Sequence, residues 1–489
     1  MLTEIIFKEI LNNIKSPKFS ITFVLSFILI ELSIFSGIQR YETSQKEYAR
    51  IQEFNRSMLE SKGSWGEVLL TGLRVMRKPE PLSIFNVGLD GVIGKSATIS
   101  RYGNTKIVDS YWSLHPVFAL FGDIDITMIV LTIFSFFALL FSYDAISGEK
   151  ERGTLKLILS NPVSRDKLIL GKIIGGYITL VGVLIIPVAF GCLYLFIFPG
   201  ISLSKYEILK LFILILSFFL YLLVFFAIGV AVSTFSKNSA ISFLYFMVIW
   251  ISFVIIIPRL SVKIATIIHR PPVIEKLYTE QELLLKEFKN NLQNAIQKRF
   301  DEYIASRKSL RDRNWAQKIM NEEREKSEKE LSKKFDNLIE NYYNKEMELI
   351  KTSSILAKFS PTSTLSLMAN EITGTGINIK ENFIKSLNDY KNKVLNFIRN
   401  EIKKNPRLGS SGLSTSISIS ENNGVIDASA KARFPSFELN LNNMPEFVFF
   451  KKSNNIIFKN SIVNFAILIL YFILFFTVAF VKFLKYDVR

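Results

Sequence analysis

The sequence predicts an all-α polytopic membrane protein: six transmembrane helices, an N-terminal interfacial helix and two extracytoplasmic insertions, the larger mainly helical. Three observations predict it. Apolar residues gather in blocks of about 20, the length that crosses a hydrocarbon core roughly 30 Å thick. Charged residues collect in the segments between these blocks. Lys and Arg are concentrated in alternate short connections, which orients the helices.

The overall apolar fraction, 49% of 489 residues with 43 Phe, is within reach of a soluble protein, so the distribution decides rather than the average. A net charge of +17 would suit nucleic acid, because basic residues supply the sequence-independent part of such binding. Here, however, many cations flank apolar blocks and the rest lie in an acid-rich helical region, so no nucleic-acid partner is expected. Cys192 is the single cysteine and lies inside an apolar block, which rules out an intrachain disulfide. With two His and no Cys/His cluster at ligand spacing, no metal site is expected.

Taken in order, residues 2–15 place Leu2, Ile5, Ile6, Ile10, Leu11 and Ile14 at helical spacing among charged residues, as in a helix lying in the interface. Pro17 breaks that run, and the first apolar block covers Phe19 to Ile38. No small-residue cleavage site follows it, so it is expected to be retained. A polar stretch to residue 118 is too long for a turn and predicts a small folded excursion. The further blocks are Ile124 to Tyr143, Ile169 to Phe198, Ile208 to Val232, Ala240 to Ile257 and Ile462 to Val481.

The expected divisions are therefore 1–38, 39–118, 119–258 with a cytoplasmic loop at 145–168, 259–460, and 461–489. Lys8, Lys15 and Lys18 before the first block, five cations in the 145–168 loop, and Lys482, Lys485 and Arg489 in the tail fall on one side of a six-span chain. The short loop between blocks three and four offers only Lys205. Both termini are thus expected in the cytoplasm and the insertions outside. In the larger insertion, Leu284, Phe288, Leu292, Ile296, Phe300, Tyr303 and Ile304 form one stripe, and Leu331, Phe335, Leu338, Tyr342 and Leu349 another. They predict an antiparallel helical hairpin or short coiled coil. A further amphipathic helix is expected over 382–403, followed at 406–432 by a loop with room for one hairpin.

No phosphate-binding loop, zinc-protease, serine-hydrolase or dinucleotide motif is present, so no catalytic residue and no cofactor are expected in this chain. His115 and His269 lie beside predicted membrane boundaries and read as interfacial residues. The informative segment is the loop 142–172. Leu155, Ile158 and Leu159 share one helical face, Glu149, Glu151 and Arg152 precede it, and Pro162 closes it. A short amphipathic helix bounded by charge can dock in a groove of a partner, or it can rest on lipid headgroups.

At this loop a resemblance becomes specific. Ser147-Gly-Glu-Lys-Glu-Arg-Gly-Thr-Leu155, then Leu159-Ser-Asn-Pro-Val-Ser-Arg165 and Leu170-Gly-Lys172, resemble the type-2 ABC exporter permeases, in the branch of nitrous-oxide-reductase and copper-enzyme maturation permeases. Ile257-Pro-Arg-Leu260, Ser360-Pro-Thr-Ser363, Glu371-Ile-Thr-Gly-Thr-Gly376 and Phe483-Leu-Lys-Tyr-Asp-Val-Arg489 are similar to the subgroup with an enlarged extracytoplasmic domain. The resemblance implies a bacterial cytoplasmic (inner) membrane and a separate cytoplasmic ABC ATPase that holds ATP and Mg. It also implies a second permease copy or paralogue, and a coupling helix between the second and third spans. Glu149, Glu151, Arg152, Gly153, Thr154, Leu155, Pro162 and Arg165 would lie at or beside the ATPase contact. The interfacial helix before the first span is also a family feature.

Glu31 stands in the outer half of the first block, where a charged carboxylate costs on the order of 3 kcal/mol unless it faces protein or water. It lines a substrate path or subunit contact, or it snorkels outward or is protonated. The nine Met are scattered, so no copper path is expected. Beside a transporter, two other functions fit: a subunit that transmits ATPase motion to a periplasmic or surface protein without moving substrate, and a membrane-anchored receptor or scaffold.

Overall fold

In the computed structural model, six helices among the described residues are long and apolar enough to cross a membrane. The structure describes residues 2–99, 106–107, 123–160, 164–198, 200–305, 315–405, 408, 414–422, 425–433, 439–451 and 454–486. The expected all-α polytopic architecture is what these helices build. Pro162, His115 and the tail residue Arg489 lie outside the described residues.

Helix α1 (Leu2–Ile14) lies along the third span, and α2 (Pro17–Ser61) contains the first span. Ser16 accepts from the amide of Phe19 and Pro17 occupies the first helical turn, so the break and the restart of the helix are both written locally. Far from stopping at Ile38, α2 continues to Ser61, and its polar half rises beyond the apolar block as part of the first insertion. There α3 (Trp65–Thr71) is followed by an antiparallel sheet ordered β1 (Leu73–Met76), β2 (Ser96–Ile99) and β3 (Lys106–Ile107). Leu73 pairs with Ile99 and Val75 with Ala97, and all four side chains are buried.

The second span, α4, runs as Ile126–Ile129, a π-helical turn Val130–Phe134, and Ser135–Ser142. After α5 (Ser147–Glu151) and α6 (Thr154–Ser160) come the third span α7 (Arg165–Ile197) and the fourth, α8 (Lys205–Phe235). The fifth, α9, is Ser239–Ile251, a second π-helical turn Ser252–Ile256, and Ile257–Ile268. The sixth is α14 (Asn454–Leu484). Tyr221, Phe225, Phe226 and Phe134 are fully buried among the second, fourth and sixth spans.

A π turn swings carbonyls out of the helical ladder, and in an apolar surround those carbonyls need donors. Leu131 O accepts from the Tyr221 hydroxyl at 2.8 Å and from Ser135 Oγ at 2.7 Å. Phe253 O accepts from Ser360 Oγ. Trp250 Nε1 donates to Ser135 Oγ at 2.9 Å and so ties the two spans together. The donor Ser360 also caps α12 (Pro361–Ile372) by accepting from the amides of Thr362 and Ser363. Tyr221 Oη reaches Thr362 Oγ1 at 3.1 Å. Leu365, Met368, Ala369 and Ile372 are buried in the same core as the spans, so α12 is a helix of the larger insertion packed into the span bundle.

The rest of the larger insertion comprises α10 (Ile274–Ala305), α11 (Trp315–Ala357), α13 (Asn378–Lys404) and a hairpin of β4 (Ser414–Asn422) and β5 (Val425–Arg433). As the two apolar stripes predict, α10 and α11 pack together. Arg299 pairs with Glu322 and Glu323 at 3.2 and 3.0 Å, and Tyr303 stacks on Trp315 with ring centroids 4.2 Å apart. Helix α13 turns Phe383, Leu387, Val394 and Ile398 onto Trp65, Val68, Leu73 and Ile99, so the two insertions share one core.

A polar junction fastens these parts to the spans. Asn86 Nδ2 lies 2.8–2.9 Å from Asn370 Oδ1, Thr373 Oγ1 and Thr375 Oγ1. The Val87 amide donates to Asp125, which also caps the second span at Met128. Gly88 has φ +52°, and a Cβ there would collide with the Thr375 hydroxyl and the Asn370 side chain, so only glycine fits.

Below the sheet, the buried Arg77 pairs with Asp90, and Lys95 reaches the same carboxylate at 2.8 Å. Burial pushes the Asp90 carboxyl up, but the Arg77 and Lys95 charges overcome that and hold it below its ordinary value of 3.8. Its stabilising contribution is therefore complete above the ordinary value and disappears as pH falls through the lower folded value. Asp90→Asn leaves Arg77 without a counter-charge and should lower stability by about 3–5 kcal/mol. Unfolding of the full chain in detergent, followed against pH, should show the wild-type advantage shrinking on acidification below pH 3.8.

Candidate functional site

The loop between the second and third spans folds back on the bundle end that also holds α1 and the end of α14. The second span stops at Ser142, where Gly229 of the fourth span lies so close that a Cβ would collide with the Ser142 hydroxyl. Asp144 accepts from Lys18 at the start of the first span at 2.8 Å, and Lys18 Nζ sits 4.5 Å from the Tyr143 ring centroid.

The first turn of α5 is tied to the fourth span. The amides of Ile146 and Ser147 both donate to Ser233 Oγ, at 3.0 and 2.9 Å. Lys150 donates to the carbonyls of Thr234 and Ser236 at 2.5 and 3.1 Å, meeting the unsatisfied end of α8, and lies 4.9 Å from the Tyr486 ring centroid. Glu151 accepts from the Ser239 amide at 2.9 Å, at the start of the fifth span, where a carboxylate complements the helix dipole. Arg165 opens the third span and donates to the carbonyls of Leu484 and Tyr486, at 2.5 and 3.0 Å. One short loop thus contacts the ends of the fourth, fifth and sixth spans.

Glu149 points inward. It accepts from Lys172 Nζ at 3.1 Å and from the Thr154 hydroxyl. Lys172, with a side chain only 7% exposed, also reaches Glu9 of α1 at 3.4 Å. Helix α1 can lie this close because Gly171 and Gly175 of α7 face Ile5, Ile6 and Glu9, where a Cβ would collide. Glu9, Lys172 and Glu149 therefore join α1, the third span and the loop through one buried ammonium group.

Gly153 has φ +71° with open space around a Cβ, so its glycine serves the backbone turn from α5 to α6 rather than a close contact. Beyond it Leu155 is 1% exposed, and Ile158 and Leu159 pack on the span core. Arg152, Lys156, Leu157 and Ser160 face outward, Leu157 at 67% exposure.

The structure thus brings together Glu149, Glu151, Arg152, Gly153, Thr154, Leu155 and Arg165. Five of these, Glu149, Glu151, Thr154, Leu155 and Arg165, are engaged within the chain. Glu31 stands apart from them in the first span, where its carboxylate oxygens are buried without a hydrogen-bond partner among the described residues. Glu9, Lys150, Lys172 and Ser233 escaped the sequence reading as site residues. A signal existed for Lys172, a cation inside the first turns of an apolar span. Ser233 carried none. Among the described residues no group of His, Cys, Asp and Glu could hold a metal ion.

Residues 3–488, nearly the whole chain, match the family of ABC-2 family transporter proteins. The chain belongs to that family. Two curated relatives carry the name probable ABC transporter permease protein NosY. The protein of Stutzerimonas stutzeri is 52% identical over 56 residues, 11% of this chain and 19% of the relative. That of Pseudomonas aeruginosa is 58% identical over 38 residues, 8% of this chain and 14% of the relative. The match spans less than a fifth of each relative's length. The resemblance to permeases of this class that the loop motifs carry is borne out by the family match, and the ABC-2 chain is a membrane-spanning permease subunit of an ABC transporter.

The buried ammonium gives the site its own test. Lys172→Met leaves two carboxylates without their cation, and Glu149→Gln removes one of them. A double-mutant cycle on the unfolding of the purified permease should return a coupling of about 1–3 kcal/mol between the two positions. Additive effects would mean that the pair contributes nothing.

Proposed function

We propose that this ABC-2 permease is driven by a separate cytoplasmic ATPase, which docks on the outward face of α5 and α6 and uses ATP hydrolysis for export. The observation that carries this reading is the wiring of the 143–165 segment. Its inward face is bonded to the ends of the first, third, fourth, fifth and sixth spans, while Arg152, Lys156, Leu157 and Ser160 are exposed on the outer side. An exposed leucine beside Lys156, on a helix whose other side is fixed, suits a groove in another protein. A push there reaches several spans at once, as rigid-body displacement requires.

On this reading both termini and the loop face the cytoplasm of a bacterial cell and the insertions lie outside. ATP and Mg belong to the ATPase, the chain itself is non-catalytic, and a second permease copy or a paralogue completes the transporter. Glu149, Thr154, Leu155 and Arg165 position the docking helix, and Arg152 and Gly153 lie at its contact edge. The boundaries 39–118 and 259–460 mark its extracytoplasmic insertions, and Glu31 is the carboxylate that lines a substrate path or a contact with the second copy.

A second reading is favoured by one feature. The helix of the fifth span runs on from Ser239 to Ile268 and packs against α11, so a displaced span would carry the α10–α11 hairpin with it. That continuity suits work on a periplasmic or surface protein without translocation.

The docking face is tested by substitution on it and behind it. Leu157→Asp, at an exposed site, should leave the melting temperature of the permease unchanged and weaken association with its ATPase about tenfold or more. Glu149→Gln should show the opposite pattern, a less stable permease whose folded fraction still binds. Pull-down and ATPase stimulation in reconstituted membranes read both. Unchanged association with Leu157→Asp would overturn the proposed face.

A further inference from the structure

At the bundle end opposite the termini, a cavity of about 400 Å³ opens between the first turns of the fourth and sixth spans. Its floor and walls include Glu207 and Lys210 of α8, Asn454 and Ile457 of α14, and Glu80 with Lys451. The first turn of α13, from Asn378, forms its roof and carries no side-chain cap. One pair is matched within the lining: Lys451 meets Glu80 at 2.8 Å. The Glu371 carboxylate accepts from the neutral Asn460 amide at 2.7 Å. Beside these the lining carries one further cation, Lys210, and one further carboxylate, Glu207. Lys210 is half-buried in the lining, with Glu80 and Glu207 as carboxylates that attract its charge. Glu207, one turn earlier, uses one oxygen to accept from the Ser204 amide.

A cavity lined by cations and carboxylates side by side, and by the first turn of a helix without a side-chain cap, suits a ligand that carries a phosphate and an ammonium together. Its position decides where such a ligand comes from. The two spans begin at this cavity, so it lies at the boundary between water and hydrocarbon. From there an exposed apolar strip descends along α8, with Tyr206 at 61%, Leu209 at 46% and Phe212 at 64% exposure. Acyl chains would lie on that strip while the headgroup enters the cavity.

We infer that this cavity binds the headgroup of a zwitterionic aminophospholipid, with the phosphate at Lys210 and the α13 N-terminus and the ammonium at Glu207. The site rests on the membrane-spanning fold alone and is independent of the proposed ATPase contact. A bound lipid here would bridge α8, α14 and α13, so it would also stiffen the junction between the spans and the larger insertion.

The test uses the full chain in nanodiscs of phosphatidylglycerol with or without phosphatidylethanolamine. Phosphatidylethanolamine should slow acetylation of Lys210 about tenfold, relative to the exposed Lys205, in the unmodified protein. Native mass spectrometry should show it retained in preference to phosphatidylglycerol, with retention lost in Lys210→Met and in Glu207→Gln and recovered in Lys210→Arg. Equal labelling of Lys210 in the two lipid mixtures would overturn the inference, even if a variant fails to fold. Protection by water-soluble glycerophosphoethanolamine but not by the lipid would overturn it in favour of a soluble ligand.

Discussion

Two backbone carbonyls set the terms for this fold. Leu131 O in the second span and Phe253 O in the fifth belong to π turns, and hydrocarbon offers a stray carbonyl no water. Each is answered by a hydroxyl, Tyr221 for the first and Ser360 for the second, and both hydroxyls meet at the head of α12. That requirement draws a helix of the larger insertion into the span bundle. Once α12 is there, its far end carries Asn370, Thr373 and Thr375 to Asn86, and the first insertion is fixed as well. The polar parts of the protein are thus anchored by a need that arises inside the membrane.

The terminal end follows the same logic with charges. The loop between the second and third spans is held by groups that would otherwise go unmatched: the closing carbonyls of the fourth and sixth spans, the opening amide of the fifth, and the buried ammonium of Lys172. Satisfying these groups makes the loop a common attachment point for nearly every span. It also leaves the Leu157 side chain on its outer face exposed. The second span then links the two ends directly, since it begins at Asp125 in the polar junction and ends beside Ser147 and Ser233.

Much of this was legible in the sequence. Hydropathy is a local property, so the six spans could be placed from their blocks, and the spacing of apolar residues in α10, α11 and α13 exposed their buried faces. The loop motif was legible because charges, glycine and proline punctuate a short amphipathic run. What stayed hidden depends on contacts between distant segments. Ser360-Pro-Thr-Ser363 carries a family resemblance but no sign of its role, which depends on the distant Phe253 carbonyl that Ser360 answers. The continuation of α2 to Ser61 carries no hydropathy signal, because its far half is polar. Glu149 reads as a surface charge, and only Lys172 and Glu9, from two other elements, turn it inward.

On the proposed reading, a cytoplasmic ATPase takes hold on the outer face of α6. The most direct measurement is a photo-crosslinking scan, with a photoreactive residue placed singly at each position from Arg152 to Ser160 in native membranes. Adducts to the ATPase should appear with helical periodicity, strong at Lys156, Leu157 and Ser160 and absent at the buried Leu155. Adducts to lipid alone at those exposed positions would contradict it.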